Sequence, residues 1–343
     1  MTTDPQDRDS PDTVRKWLKR YQDSTGFPDA WTMLTACPAC ERTSIEASFV
    51  KWLFPHWACD ACKHVFVNPQ PPSAALEELY RTGYARGFRD HVEAPQVFDS
   101  KQSPPFSLSQ DMIDDIVRRV MTHRPIQRWL DFGGGLGWFA NELRENHQVP
   151  QTAIREIDLE AAQMASDRFG VANVLEAGGR DWEVVSSIAT LEHVPEPISF
   201  IAEMCSYCVP GGTIVISVPN FSRMSRLISK AASANATPPF HLSLFNRESL
   251  LETAHRSGCL DEIEVVEMGG PAFNPVDIID HSDHFDLSIP TKESPETKNI
   301  FSPPYSPEIG ALANLLGLVA ERTSDFFAEF DGRALLTLFA RCR

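Results

Sequence analysis

The sequence predicts an α/β protein: a parallel sheet wound on both faces by helices, with a small cysteine-rich module ahead of it. Three observations carry this reading. From residue 127 onward, apolar strand-like runs alternate with segments of helical period. The first of those strands ends in a glycine run, "WLDFGGGLGWFANEL" at 129–143, that leads straight into a helical pattern. Upstream, two Cys-x2-Cys pairs stand 18 residues apart.

Residues 1–10 are polar and acidic, and Val14, Trp17, Leu18 and Tyr21 give 11–22 the spacing of a short helix. Residues 1–30 therefore read as a tail with one helix, and 31–70 as the cysteine-rich module, rich in aromatics and poor in helical signals. "NPQPPS" at 68–73 stops that module and opens a linker with helices over 71–125. In this linker "AALEELYRTGY" is one helix and 108–123 another, with Asp114 and Asp115 in its middle. The alternating domain covers 126–343. "IQRWLDF" is a strand and 137–147 a helix; "TAIREID" is a strand and 159–169 a helix; "VANVLE" is a weak strand. "WEVVSSI" and "GTIVISVP" are strands on either side of a helix at 196–208. A Ser/Ala-rich insert at 221–240 precedes a helix at 246–257 and a strand at 260–268. An acidic, Pro-rich loop covers 270–306, then a helix at 307–324 and a last strand, "ALLTLFARC".

The 343 residues carry 47 acidic and 31 basic side chains, a formal charge of −16. Such a surface repels nucleic-acid backbones and anionic membranes, so neither is the expected partner. The start has no signal-peptide pattern, and "IGALANLLGLVA" at 309–320 is too short to span a bilayer. A cytoplasmic location is expected. On that reading the eight cysteines serve metal binding or burial rather than disulfides.

The glycines raise the question of what approaches the backbone. Gly133, Gly135 and Trp138 fail the dinucleotide pattern, because tryptophan stands where a small residue must let helix and strand pack. Gly135, Gly137 and Ala140 satisfy it. No Lys-Ser or Lys-Thr follows, so a nucleoside-triphosphate loop is excluded. Asp131 decides between the remaining ligands. A carboxylate at the strand end would repel a pyrophosphate, but it attracts the ammonium and sulfonium of S-adenosylmethionine. A second acid should end the next strand and hold the ribose hydroxyls. Glu156 and Asp158 are on offer, and Glu156 is preferred because the helix begins by Leu159. The alternative is a plain tight turn in a doubly wound sheet.

With "LDFGGGLG", "REIDLEAAQMASDRFG", "LEHVPEP", "VPGGTIVISVPN" and "PPFHLSLFNRESL" in this order, residues 130–260 resemble the Rossmann-like core of class I S-adenosylmethionine-dependent methyltransferases. The resemblance implies that Asp131, Gly133, Gly135 and Gly137 hold the methionine part of the cofactor and Glu156 its ribose. It implies that Leu191 and Glu192 border the methyl group, and that Glu176 reads the adenine amine. Related ubiquinone-pathway enzymes carry an extra acid three residues before the Glu-His pair, with a proposed metal role. Alanine stands there, at Ala189, so no catalytic metal is expected.

Cys37, Cys40, Cys59 and Cys62 have the spacing of a four-thiolate zinc ribbon. All four positions are filled by protein, so that zinc would be structural; His56 and His64 lie nearby but are not needed. The segment resembles the N-terminal zinc module of some bacterial methyltransferases, sugar C-methyltransferases among them. The third pair, Cys205 and Cys208, reads as core packing.

Methyl transfer needs two positioned reactants and, for some acceptors, a base. His193 and His241 are the base candidates, each with a loop-bonding structural role as the alternative. The 221–240 insert is expected to be a mobile cover over the acceptor. "DIIDHSDHFD" at 277–286 reads as a solvated acidic loop. The expected function is methylation, at oxygen or carbon, of a small-molecule or sugar-like acceptor. The rivals are an NAD(P)-dependent oxidoreductase on the same fold and a non-catalytic protein that docks a partner through its zinc module.

Overall fold

The computed structural model describes residues 31–51, 54–81, 108–122, 124–175, 181–230, 233, 235–272 and 331–343. The helices expected at 11–22 and 307–324, Glu176, and the acidic cluster at 277–286 lie outside the described residues. In chain order the elements are β1 (Ile45–Lys51), β2 (Phe54–Cys59), β3 (Val65–Val67), α1 (Ser73–Arg81), α2 (Gln110–Val120), β4 (Arg128–Phe132) and α3 (Trp138–Glu145). There follow β5 (Gln151–Arg155), α4 (Leu159–Phe169), β6 (Ala172–Asn173), β7 (Trp182–Ile188), α5 (Pro197–Tyr207) and β8 (Cys208–Pro219). The last are β9 (Ser243–Leu244), α6 (Arg247–Ser257), β10 (Leu260–Pro271) and β11 (Arg333–Cys342). Among the described residues no helix is long and apolar enough to cross a membrane.

The chain divides into two compact units. The first takes Pro71–Ile188 and Met204–Ile214. Its strands stand in the order β7-β4-β5-β6 and run parallel, with Asp131 level with Ile154 on one side and Ser186 on the other. Helices join parallel neighbours because a parallel return needs a crossover. The strands are apolar on both faces, and Trp129, Leu130, Phe132 and Ile154 are fully buried. Small residues let the helices come close: Ala140, Ala162 and Ala165 pack with Ile154 and Val171. Helix α2 buries Met112, Ile113, Ile116, Val117 and Val120, while Asp115 pairs with Arg118 and Arg119 at the surface.

The second unit takes Met33–Gln70, Ala189–Glu203 and Val215–Arg343. The cysteine-rich segment contributes β1, β2 and β3 to a four-stranded antiparallel sheet in the order β1-β2-β3-β9. Its last strand comes from residues 243–244, far along the chain. Strands β10 and β11 also pair antiparallel, with Val265 opposite Leu338. Strands β10 and β11 are not bound to the short crossover that keeps neighbours parallel. Helix α6 starts with a capping box between Asn246 and Ser249 and ends on Gly258 in the left-handed region.

Where it is described, the 221–240 insert is packed on one side and open on the other. Phe221, Ser222, Ser225, Ser229, Ser233 and Ala236 are buried, Leu227 and Ile228 are exposed, and the buried Lys51 donates from Nζ to the Ser233 carbonyl at 3.0 Å. Its serines are small enough to pack, and their hydroxyls find partners, as between Ser222 and Ser225 at 3.1 Å. One expectation needs correction, that for the third cysteine pair. Cys208 is a buried free thiol, but Cys205 is disulfide-bonded.

Candidate functional site

In the first unit the candidate side chains gather where β4 meets α3. Gly133, Gly135 and Gly137 all have left-handed φ, at 76°, 51° and 75°. A side chain is strained at such angles. Crowding adds a second reason at two glycines. A Cβ on Gly137 would stand 2.8 Å from that of Ala165, and one on Gly134 would stand 2.4 Å from Cγ2 of Ile154. Nothing lies within 4 Å of a Cβ on Gly135, so that glycine faces open space. The Gly133 N–H donates to the Arg155 carbonyl at 2.8 Å, which ties the turn to the end of β5.

Asp131 is 3% exposed. The Trp129 indole N–H donates to Ser186 Oγ at 2.9 Å, and the Ser186 hydroxyl donates to Asp131 Oδ1 at 2.8 Å. Burial pushes the Asp131 carboxyl up to about 7; the Ser186 hydrogen bond opposes that shift and the Glu156 charge adds to it. A buried acid in this state is ready for a cation. The sequence reading missed Ser186 and Trp129. The two serines inside the buried run "WEVVSSI" were the available signal.

Glu156 lies just beyond β5. Its Oε2 accepts from the Gly135 N–H and its Oε1 from the Asp158 N–H, both at 2.8 Å. Asn173 clamps its backbone on both sides, accepting from the Glu156 N–H at 3.0 Å and donating to its carbonyl at 2.9 Å. Asp158 is used otherwise: it caps α4 by accepting from the N–H groups of Glu160 and Ala161. One carboxylate thus organises the glycine turn while the other starts a helix.

In the second unit Leu191, Glu192 and His193 form a single tight helical turn, with Leu191 and Glu192 buried. The structure brings His193 and His241 together, although 47 residues separate them in sequence. Their rings lie 4.8 Å apart, inclined at 70°. His193 Nδ1 lies 2.9 Å from the Phe240 carbonyl and His241 Nδ1 lies 2.6 Å from that of Asn235. In a neutral imidazole each of these contacts puts the proton on Nδ1. Glu192 is 2% exposed, among the described residues neither of its carboxylate oxygens accepts a hydrogen bond from another residue, and His193 Nε2 stands 3.9 Å away. Burial pushes its carboxyl up to about 8, its own backbone N–H opposing.

The four sulfurs of Cys37, Cys40, Cys59 and Cys62 lie within 4.8 Å of one another, all buried. Cys37 and Cys62 are 3.7 Å apart and Cys40 and Cys59 are 3.6 Å apart. A tetrahedron with metal–sulfur bonds of about 2.3 Å has edges of roughly 3.8 Å, so the donor set fits zinc. The two halves match. Glu41 and Lys63, each following the second cysteine of a pair, are left-handed at 58° and 57°. Each donates its N–H back to the first cysteine's carbonyl, at 2.8 and 2.9 Å. Burial pushes the Cys40 thiol up to about 12, and the Cys37 sulfur, with burial, pushes Cys62 up as well. Four thiolates crowded here need a cation to stay ionised. His56 and His64 remain outside the cluster. Both are fully buried, and burial holds each down to about 3, so both are neutral at neutral pH.

Residues 107–261 match a family model described as a methyltransferase domain. Over 158 residues the chain is 27% identical to the chloroplastic tocopherol O-methyltransferase of Arabidopsis thaliana, a match over 42% of this chain and 45% of that enzyme. It is 26% identical over 159 residues to the ubiquinone biosynthesis O-methyltransferase of Vibrio parahaemolyticus, over 43% of this chain and 68% of that enzyme. The chain thus spans less than half of the first relative's length. Among solved structures, an S-adenosylmethionine-dependent methyltransferase from Archaeoglobus fulgidus is 17% identical, with 68% of this chain and 94% of that one covered and a TM-score of 0.41.

Proposed function

We propose that this chain, whose residues 107–261 match a methyltransferase-domain model, is a class I S-adenosylmethionine-dependent methyltransferase that moves a methyl group onto a hydroxyl oxygen of a small-molecule acceptor. The observation that carries the cofactor is Asp131, a buried carboxylate with a single hydroxyl partner beside an open left-handed glycine turn. It suits the ammonium of the methionine part, which Gly133, Gly135 and Gly137 would let the backbone approach. Glu156 would take the ribose hydroxyls on its remaining lone pairs. Leu191 and Glu192 would border the methyl group. Glu176 remains the expected partner of the adenine amine.

The acceptor oxygen attacks the methyl carbon in line. The O–C bond forms as the C–S bond breaks, and the electron pair passes to sulfur, which becomes a neutral thioether. The acceptor's proton needs a base. The paired Nε2 lone pairs of His193 and His241 supply proton acceptors, and both relatives are named for O-methylation. Both observations favour oxygen over carbon. Zinc at Cys37, Cys40, Cys59 and Cys62 would be structural, since four thiolates leave no position for a substrate.

Titration calorimetry with S-adenosylhomocysteine and with NAD tests the cofactor. Binding of the first and not of the second supports the reading. Binding of NAD alone overturns it, because it would place a pyrophosphate beside Asp131.

A further inference from the structure

His241 owes its protonation form to a backbone carbonyl. Its Nδ1 lies 2.6 Å from the carbonyl of Asn235. While that bond holds, a neutral imidazole carries its proton on Nδ1. In the other tautomer Nε2 is protonated and cannot take a proton from an acceptor. Whatever fixes the Asn235 carbonyl therefore fixes the form of the base.

Asn235 lies within a tight turn that Ser233 organises. The Ser233 carbonyl accepts from the Ala236 N–H at 3.1 Å, and Ser233 Oγ accepts from the Asn235 N–H at 3.3 Å. The same carbonyl accepts from Lys51 Nζ at 3.0 Å, across 182 residues of sequence. Lys51 ends β1 in the cysteine-rich segment, and it is 2% exposed. A buried ammonium is costly, and lysine is buried only where its charge is bonded. A bond from a charged donor is also stronger than one between neutral groups, so it holds the turn more firmly than another backbone contact. Ser233 and Ala236 are buried too, which keeps water from competing for that carbonyl.

We propose that Lys51 is a positioning residue for His241. The relay runs from Nζ to Ser233, from Ser233 to Asn235, and from the Asn235 carbonyl to Nδ1. Through it the cysteine-rich segment sets the tautomer of a side chain near the far end of the insert. This deepens the acceptor reading above and rests on it, since the tautomer matters to the reaction only if His241 is the base.

The test uses full-length, zinc-loaded protein with 15N-labelled histidine, at about pH 8, where an ordinary imidazole is neutral. The His241 ring signals are identified by their loss in His241→Gln. Their nitrogen shifts should report the Nδ1-protonated form in the parent. Lys51→Met keeps the length and apolar stem of the side chain and removes the donor. It should turn the Nε2-protonated tautomer from the minor into the major form and leave the zinc content unchanged. A parent already in the Nε2-protonated form, or an unchanged tautomer in Lys51→Met, overturns the proposal. If Lys51→Met does not fold, Ser233→Ala decides, because it cuts the bond to the Asn235 N–H in the same relay. A shift toward the Nε2-protonated form there supports the relay, and no shift overturns it. Binding of S-adenosylhomocysteine is measured by calorimetry on the same samples. Binding that persists beside an unchanged tautomer sinks the relay alone, while its absence in the parent sinks the methyltransferase reading.

Discussion

The N–H of Leu242 donates to the carbonyl of Glu192, and the carbonyl of the same Leu242 accepts from the N–H of Val67, both at 2.9 Å. One residue therefore links the end of the cysteine module's third strand to the turn that carries Glu192 and His193. The links around it are dense. His64 Nε2 lies 3.2 Å from the Ser243 hydroxyl, Asn246 donates from Nδ2 to the Lys63 carbonyl at 2.7 Å, and β3 pairs with β9. Lys63 directly follows Cys62, one of the four clustered cysteines.

The first prediction follows from that linkage. Stripping zinc with a chelator, or replacing Cys59→Ser, should lower amide protection across 33–70 and also across 241–246. The loss should exceed 10-fold, about 1.4 kcal/mol. Strand β4 and helix α3 should keep their protection. Hydrogen exchange read by mass spectrometry checks this. If protection falls within 33–70 and stays intact at 241–246, the module does not support the His241 segment.

The second prediction concerns Asp131 and pH. Its carboxyl sits at about 7 in the folded chain against an ordinary 3.8. The folded state thus binds a proton more readily than the unfolded one, and stability without cofactor should fall as pH rises from about 4 to 7. A cationic ligand selects the ionised acid, so binding should release close to one proton near pH 6 and almost none near pH 8. Calorimetry in buffers of different ionisation enthalpy measures that release. Asp131→Asn keeps an acceptor for Ser186 and removes the buried charge. It should raise the melting temperature at about pH 8 while weakening the cofactor by roughly 1.5–3 kcal/mol, the worth of a hydrogen bond to a charged group. An Asn variant that binds S-adenosylhomocysteine as well as the parent would remove Asp131 from the site.

The third prediction is steric. Gly137→Ala meets two obstacles, a φ of 75° and the Ala165 methyl at 2.8 Å. It should destabilise the protein by roughly 1–3 kcal/mol by denaturant titration. Gly135→Ala meets only the first obstacle, since nothing lies near its Cβ. The Gly135 variant should cost less stability and more cofactor affinity. Equal effects at the two glycines would show that the turn is shaped by packing alone.

Much of this was legible in the chain because the signals are local. Asp131, the glycines and Glu156 fall at the ends of two consecutive strands, and Cys37 to Cys62 span one short module. What stayed hidden depends on contacts across long separations. Nothing in "LEHV" or "PPFHLSLF" announces that His193 and His241 meet, because a 47-residue excursion closes between them. The β3–β9 pairing involves only Val65, Phe66, Ser243 and Leu244, too few residues for a period to show. The serines of 221–240 suggested mobility by composition, but small polar side chains also pack closely once their hydroxyls are bonded. Strand direction is decided by pairing, as in β10 with β11, and does not show in the strand pattern.

The last prediction separates the two sides of the reaction. Glu156 holds the Gly135 and Asp158 N–H groups on its two oxygens, so it shapes the glycine turn, and it is the carboxylate proposed for the ribose. Glu156→Ala should weaken S-adenosylhomocysteine binding by about 10- to 100-fold, or roughly 1.4–2.8 kcal/mol. His241 is bonded to Asn235, and its ring faces His193. His241→Ala should change cofactor affinity by less than about 3-fold, under ~0.7 kcal/mol. It should instead lower the incorporation of labelled methyl into a hydroxyl acceptor by about 100-fold or more, within the range for a lost general base. Calorimetry reads the first half without an acceptor; a screen of phenolic and sugar hydroxyls with labelled cofactor reads the second. Should His241→Ala weaken cofactor binding as much as Glu156→Ala does, the histidine belongs to the cofactor side, and its role as the acceptor's base is wrong.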